Sequence, residues 1–284
     1  MSSRESEQEE LTRKQRREQA RADRKAAEEA AADEAARRKR LAQLGGAAAV
    51  IVIAIVVILI ATSGAGKSKN LVVGSSETTK ATATVSSLLA GTTQRGTVLG
   101  SPTDPVTLRY FGDLECPICA DFTLGALPAI IQKWVKTGKL KVEYHSLSTA
   151  TGKAEQEGAE PEGMFAKQQA AALAAGRQNK AWYYIELFYH EQREEDSGYV
   201  TEAFLQGLAQ QVPGLNLGQW TSERANPAFT AALAADSREA SNEGFTGTPS
   251  FLIGRSGGPL KKYEYSSLSN ASGFEEAFEA ALKG

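Results

Sequence analysis

Apolar side chains follow four regimes along this chain. Residues 1–40 hold a single large aliphatic side chain, Leu11; residues 41–62 are almost wholly apolar; residues 63–84 are mostly small and polar; and from 85 onward short apolar runs recur with regular periods. Within the last regime, 106–111 reads as a buried strand and 140–145 alternates at period two. Between them Phe122, Leu124, Leu127, Ile130, Ile131 and Trp134 repeat at helical spacing over 116–136. A kink is expected at Pro128, which lacks an amide donor and crowds the preceding turn. Strand, crossover helix and strand make a βαβ unit with a parallel pair.

Downstream, 149–162 is polar and reads as a loop, and 163–243 reads as largely helical, with Thr201 placed to cap one helix. A turn at 247–249 enters an apolar strand, Gly257 and Gly258 mark a hairpin, 260–265 reads as the returning strand, and 274–282 forms an amphipathic helix. Just ahead of the first strand, 85–89 suits a short helix and Gly91, Gly96 and Gly100 punctuate an edge hairpin around Val98. The expected class is α/β.

Composition changes the picture mainly upstream. Net charge is −2 over 284 residues, which gives no reason to expect nucleic acid as a partner. Residues 1–40, however, carry 12 Lys/Arg and 10 Asp/Glu among Ala and Gln, a helix-forming composition without an apolar stripe. This is expected to be a solvated arm, partly helical or disordered. Residues 41–62 match the roughly 30 Å hydrocarbon core at about 1.5 Å rise per residue, so a transmembrane helix is expected. A cleaved signal peptide is the alternative, although the apolar run exceeds the usual h-region of about 7–15 residues. The basic cluster 37–40 abuts the run, which places the arm in the cytoplasm and everything after it outside. Residues 63–84 then read as a flexible linker to a domain over 85–284.

The candidate chemistry rests on two cysteines, Cys116 and Cys119, the only pair in the chain. Their C-x-x-C spacing follows the first strand and opens a helix. At a helix N-terminus the unpaired amides and the macrodipole stabilise an anion, so the Cys116 thiol is expected to be more acidic than the free value of about 8.5. Cys119, one turn on, is expected to be the more buried. Three other readings share this spacing. Zinc would need two further ligands, and His145 and His190 lack metal spacing. A copper-handling module would want a positioned His or Met, and Met1 and Met164 stand apart. A structural disulfide in a recognition module remains the third. No metal is expected, and no cofactor beyond the cysteine pair itself.

The order strand, Cys-Pro-x-Cys opening a helix, helical insertion, Thr248-Pro249 before a hairpin, and last helix resembles the thioredoxin fold. The insertion, over about 163–243, and the Gly112-Asp113-x-Glu115-Cys116-Pro117-x-Cys119 context resemble the DsbA-like group of extracytoplasmic thiol oxidoreductases over 99–283. The resemblance implies thiol–disulfide exchange on exported cysteine-containing proteins, with oxidation of substrate thiols favoured over reduction. It also implies a membrane redox partner that recycles the pair, and a single-pass protein with its catalytic domain outside the cell membrane. Cys116 and Cys119 become the catalytic residues. Pro117, Ile118, Thr248 and Pro249 form the active-site and substrate-binding loops, with a cis bond before Pro249. Two positions depart from the group. Ile118 brings no positive charge, which implies a less oxidising couple than the strongest members have. Tyr110 stands where a buried acid is usual, leaving Tyr110, Asp113, Glu115 and Glu143 as candidate proton relays.

Overall fold

The computed structural model describes residues 71–283 apart from Val72, Glu160, Glu162 and Asp196. The charged arm, the apolar run 41–62 and the linker up to residue 70 lie outside the described residues. Among the described residues, no helix is long and apolar enough to cross a membrane.

Six strands form one sheet: β1 (Gln94–Arg95), β2 (Val98–Leu99), β3 (Val106–Gly112), β4 (Leu140–Ser146), β5 (Ser250–Arg255) and β6 (Lys261–Tyr263), in the order β1-β2-β4-β3-β5-β6. β3 lies at the centre and is covered on both faces, which is why its sequence is nearly continuous in apolar residues. It pairs parallel with β4 from Val106↔Leu140 to Gly112↔Ser146, and antiparallel with β5. β4 alternates as expected: Leu140, Val142, Tyr144 and Ser146 are buried, while Lys141, Glu143 and His145 turn to the other face. The edge hairpin of β1 and β2 forms where the glycines predicted it.

The helix predicted over 116–136 is three pieces: α2 (Pro117–Leu124), α3 (Ala126–Ile130) and a π turn (Ile131–Val135) closed by Lys136 N–H to Ile131 C=O at 2.9 Å. The break falls at Gly125, and not at Pro128 as expected. Pro128 sits in the first turn of α3, where a missing amide leaves no bond unmade. At Gly125 the 268–269 segment presses against the helix: a Cβ there would lie 2.4 Å from Asp121 O and 2.6 Å from Leu268 O.

Two segments expected to be irregular are helical. α1 (Ser76–Leu89) occupies the end of the presumed linker, with Ser75 as N-cap and Val85 and Leu89 buried. Its Ala and Thr residues mask a buried stripe that only the neighbouring helix reveals. α4 (Ala150–Glu157) replaces the polar loop, because a carboxylate from another segment supplies the cap its own sequence lacks.

The insertion holds α5 (Met164–Gly176), α6 (Ala181–Glu191), α7 (Glu202–Gln211), α8 (Leu217–Glu223) and α9 (Pro227–Asn242). Thr201 caps α7 as expected, accepting from Phe204 N–H at 3.1 Å. α6 buries Trp182, Tyr184, Ile185, Leu187, Phe188 and Tyr189, which identifies it as the insertion's core helix. The main core joins α6, α2, α3 and α10 (Ser272–Lys283) to one face of the sheet. On the other face, Phe111 and Leu252 pack beneath Ala240 of α9. β6 is shorter than the predicted returning strand, and α10 places Phe274 and Phe278 in the core.

Candidate active site

Cys116 stands where the turn after β3 becomes a helix. It is the N-cap of α2, and Pro117 takes the first helical position, where its fixed φ suits the helix and its missing donor costs nothing. Its carbonyl accepts from Cys119 N–H at 3.1 Å and Ala120 N–H at 3.2 Å. Both cysteines are free thiols. Cys116 keeps 6% of its surface exposed and Cys119 none, so a partner reaches the first sulfur and not the second. Ile118, beside them, is 43% exposed. Opposite, the Thr248–Pro249 bond is cis, and Thr248 C=O lies 3.4 Å from Cys116 Sγ.

The two thiols have opposite acidities. A hydrogen bond from the Cys119 thiol, with help from Thr248 and from the amides of Cys119 and Ile118, lowers Cys116 to about 7 against the cost of burial. Those amides favour the thiolate without forming a formal side-chain cap. Burial pushes Cys119 well above its ordinary value, and its hydrogen bond to Cys116 adds to the rise. At neutral pH the pair therefore presents one reactive thiolate and one protonated thiol held behind it.

Segments remote in sequence brace the cysteine loop. The Asp113 carboxylate accepts from Thr149 N–H at 2.9 Å, Thr151 N–H at 3.0 Å, the Thr151 hydroxyl and Glu115 N–H, so it caps α4 and fixes its own loop at once. Burial raises its pKa against the pull of these donors. Gln192, just past α6, donates to Leu114 C=O at 2.8 Å and Cys116 C=O at 3.2 Å. Tyr189 donates to Asp113 C=O at 3.1 Å. Buried Glu115 accepts from Gln168 Nε2 at 2.6 Å.

The four candidate relay residues separate accordingly. Tyr110 is fully buried, with its hydroxyl 3.0 Å from that of Tyr189. Burial comes first in holding it protonated, followed by its electrostatic coupling to Cys119, which disfavours an anion at both groups. Asp113 and Glu115 are close in sequence to Cys116 but are committed to the braces just described. Glu143 is the correction. The alternation of β4 puts it on the face opposite Tyr144, where Arg109 Nη2 holds it at 2.9 Å and Lys141 Nζ at 2.8 Å. It has no path to the sulfurs.

Thr149, Thr151, Gln168, Tyr189 and Gln192 were missed by sequence reasoning. None lies in a motif with the cysteines.

The family described as Thioredoxin matches residues 92–266, a stretch running from just before β1 past β6. A probable disulfide bond formation protein D from Bacillus anthracis is 23% identical over 174 residues, covering 61% of this chain and 75% of that protein. Among solved structures, oxidised BdbD from Bacillus subtilis superimposes with a TM-score of 0.54 at 18% identity, covering 68% of this chain and 98% of that one. A variant of alpha-DsbA1 from Wolbachia pipientis gives a TM-score of 0.51 at 17% identity, covering 70% and 96%. These likenesses establish the fold as the thioredoxin fold with a helical insertion. With the family matched over more than half of its length, the chain belongs to the thioredoxin family.

Proposed function

We propose that the chain exchanges thiols and disulfides with exported proteins through Cys116 and Cys119, chiefly in the oxidising direction. One observation carries the reading: an acidified Cys116, slightly exposed at a helix N-terminus, faces the Thr248 carbonyl, with the fully buried Cys119 thiol behind it. In the oxidised protein a substrate thiolate attacks Cys116 Sγ. The Cys116–Cys119 bond breaks, and Cys119 leaves with the electron pair and takes up a proton. A second substrate thiolate then attacks the substrate sulfur of the mixed disulfide and expels Cys116 as thiolate. The substrate gains a disulfide, and the pair ends reduced. A thiolate stable near pH 7 is a good leaving group, which favours this direction.

The proposal includes the apolar run 41–62 as the single membrane anchor, the arm on the cytoplasmic side, the domain outside, and a membrane redox partner that reoxidises the pair. A tethered reductase is the second reading, favoured by the uncharged and exposed Ile118, which does nothing to destabilise the disulfide form.

Purified full-length protein, its Cys116→Ser variant and its Cys119→Ser variant separate these readings. Oxidative refolding of a reduced multi-cysteine substrate and reduction of insulin are followed in parallel, with the potential set by glutathione buffers. Oxidation by the wild type is expected, with none by Cys116→Ser and with Cys119→Ser trapped as a mixed disulfide. Full activity in both variants would sink the proposal.

A further inference from the structure

Gln192, the residue that ends α6, turns its side chain onto the cysteine loop. Its carboxamide nitrogen lies 2.8 Å from Leu114 C=O and 3.2 Å from Cys116 C=O. Both partners are carbonyls and can only accept, so the end of the side chain that meets them is the NH₂ group, and both of its protons are used. The other end follows from this. Gln192 Oε1 can only accept, and nothing among the described residues donates to it. The side chain is half-buried, yet this oxygen stays open to solvent.

Amide geometry sets Oε1 about 2.3 Å from the nitrogen, hence within about 5.5 Å of the Cys116 carbonyl oxygen. In a mixed disulfide with Cys116, the substrate cysteine has its Cα about 4.4–6.8 Å from that of Cys116. The free oxygen and the substrate backbone therefore come within one or two residues of each other. Every non-proline residue of an extended chain offers an N–H there.

We propose that Gln192 is a substrate-binding residue: its nitrogen holds the cysteine loop, and its oxygen accepts from a backbone N–H of the substrate within two residues of the attacking cysteine. The inference rests on the thiol-exchange reading and adds to it a contact from the helical insertion, apart from the loop of Thr248 and Pro249. It also defines a substrate class. A backbone contact of this kind is indifferent to sequence, but it needs an amide not already paired. It favours cysteines in unfolded segments over cysteines in finished helices or sheets, and over small thiols without an amide.

The test compares two thiols as reductants of the oxidised full-length chain: a blocked pentapeptide, Gly-Ala-Cys-Ala-Gly, and 2-mercaptoethanol, which has no amide. Both attack as thiolates, so the ratio of their rates cancels changes in the cysteine pair itself. Gln192→Lys keeps donors for the two carbonyls and loses the acceptor, whereas Gln192→Leu loses both. In each variant the peptide-to-mercaptoethanol ratio is expected to fall about three- to tenfold, the worth of one hydrogen bond. Peptides with an ester in place of one amide near the cysteine extend the test. One ester position is expected to slow the wild type by a similar factor and to leave the Gln192→Lys rate within about twofold, because the missing N–H has no acceptor to lose.

An unchanged ratio in Gln192→Lys overturns the inference, including when Gln192→Leu alone responds, since that assigns the effect to the loop. An ester penalty that persists in full in Gln192→Lys does the same. The ester series on the wild type needs no variant to fold, and no slowing at any position is also a refutation. The exchange reading has its own check: reduced wild type is alkylated with iodoacetamide across pH, and a Cys116 that does not titrate near neutrality, or a pair that neither thiol reduces, overturns it as well. A wild type that reacts with both thiols and ignores the esters removes this inference alone.

Discussion

Asp113 is the residue that most clearly separates proximity from function. Three positions before Cys116, it reads as a proton-relay candidate. The structure instead gives it four donors, three of them backbone amides that can only be satisfied by an acceptor. A carboxylate in that setting is a clamp between the cysteine loop and α4. Asp113→Asn would set an NH₂ group against donors, so a loss of about 2–4 kcal/mol is expected in urea unfolding, because buried donors lose their acceptor. An unfolding midpoint equal to the wild type would show that the clamp contributes nothing. Tyr110, by contrast, keeps its standing as the candidate beside Cys119, through a hydroxyl pair with Tyr189 rather than a carboxyl.

At the scale of elements, the break between α2 and α3 is set by a neighbour. A methyl group at Gly125 would meet two backbone oxygens well inside contact distance, and neither can move without shifting a helix or the segment before α10. Gly125→Ala is expected to cost about 1–3 kcal/mol, the usual range for overpacking that shifts backbone. Because the clash is at the far end of α2 from the sulfurs, its alkylation profile should stay within about twofold of wild type, and a large change there would refute this separation. The same comparison explains what was legible. β3, β4, the α2–α3 run, the Thr201 cap and the last helix follow from local period and capping chemistry, and so were readable. The site of the break, α4 and the start of α1 were not, because each depends on atoms from elsewhere: Leu268 O, the Asp113 carboxylate and the packing of α6. The cysteine pair and its facing loop were readable as motifs. The braces Thr149, Gln168 and Gln192 carry no motif and become visible only in space. Glu143 could have been excluded from the alternation of its own strand.

At the scale of the molecule, three groups with large shifts near neutral pH make stability depend on pH. Glu186 is fully buried on α6 with neither carboxyl oxygen hydrogen-bonded, and burial raises it to about 8. At His145, burial opposes protonation, but hydrogen bonds to Asp236 and Glu143 outweigh it and raise the pKa to about 8. For both, the folded state binds the proton more tightly. Their contribution is therefore fully present below each unfolded pKa and is lost as pH rises towards 8. Cys116, lowered to about 7, works oppositely: its contribution is present above the unfolded thiol pKa and disappears as pH falls through 7. From pH 6 to 8.5 the reduced protein is expected to lose about 2 kcal/mol, and Cys116→Ser about 4 kcal/mol, since the compensating thiolate is gone. Urea titrations at both pH values check this, and equal losses in the two proteins would contradict it.

The braces around Cys116 arrive from residues 149, 192 and 248, so the cysteines leave the ribosome well before the groups that hold their loop in place. Synthesis proceeds from the N-terminus. During that interval Cys116 and Cys119 are ordinary thiols, mostly protonated at neutral pH. Because Thr248 is among the groups that acidify Cys116, part of that acidity is acquired only once the chain closes on residue 248.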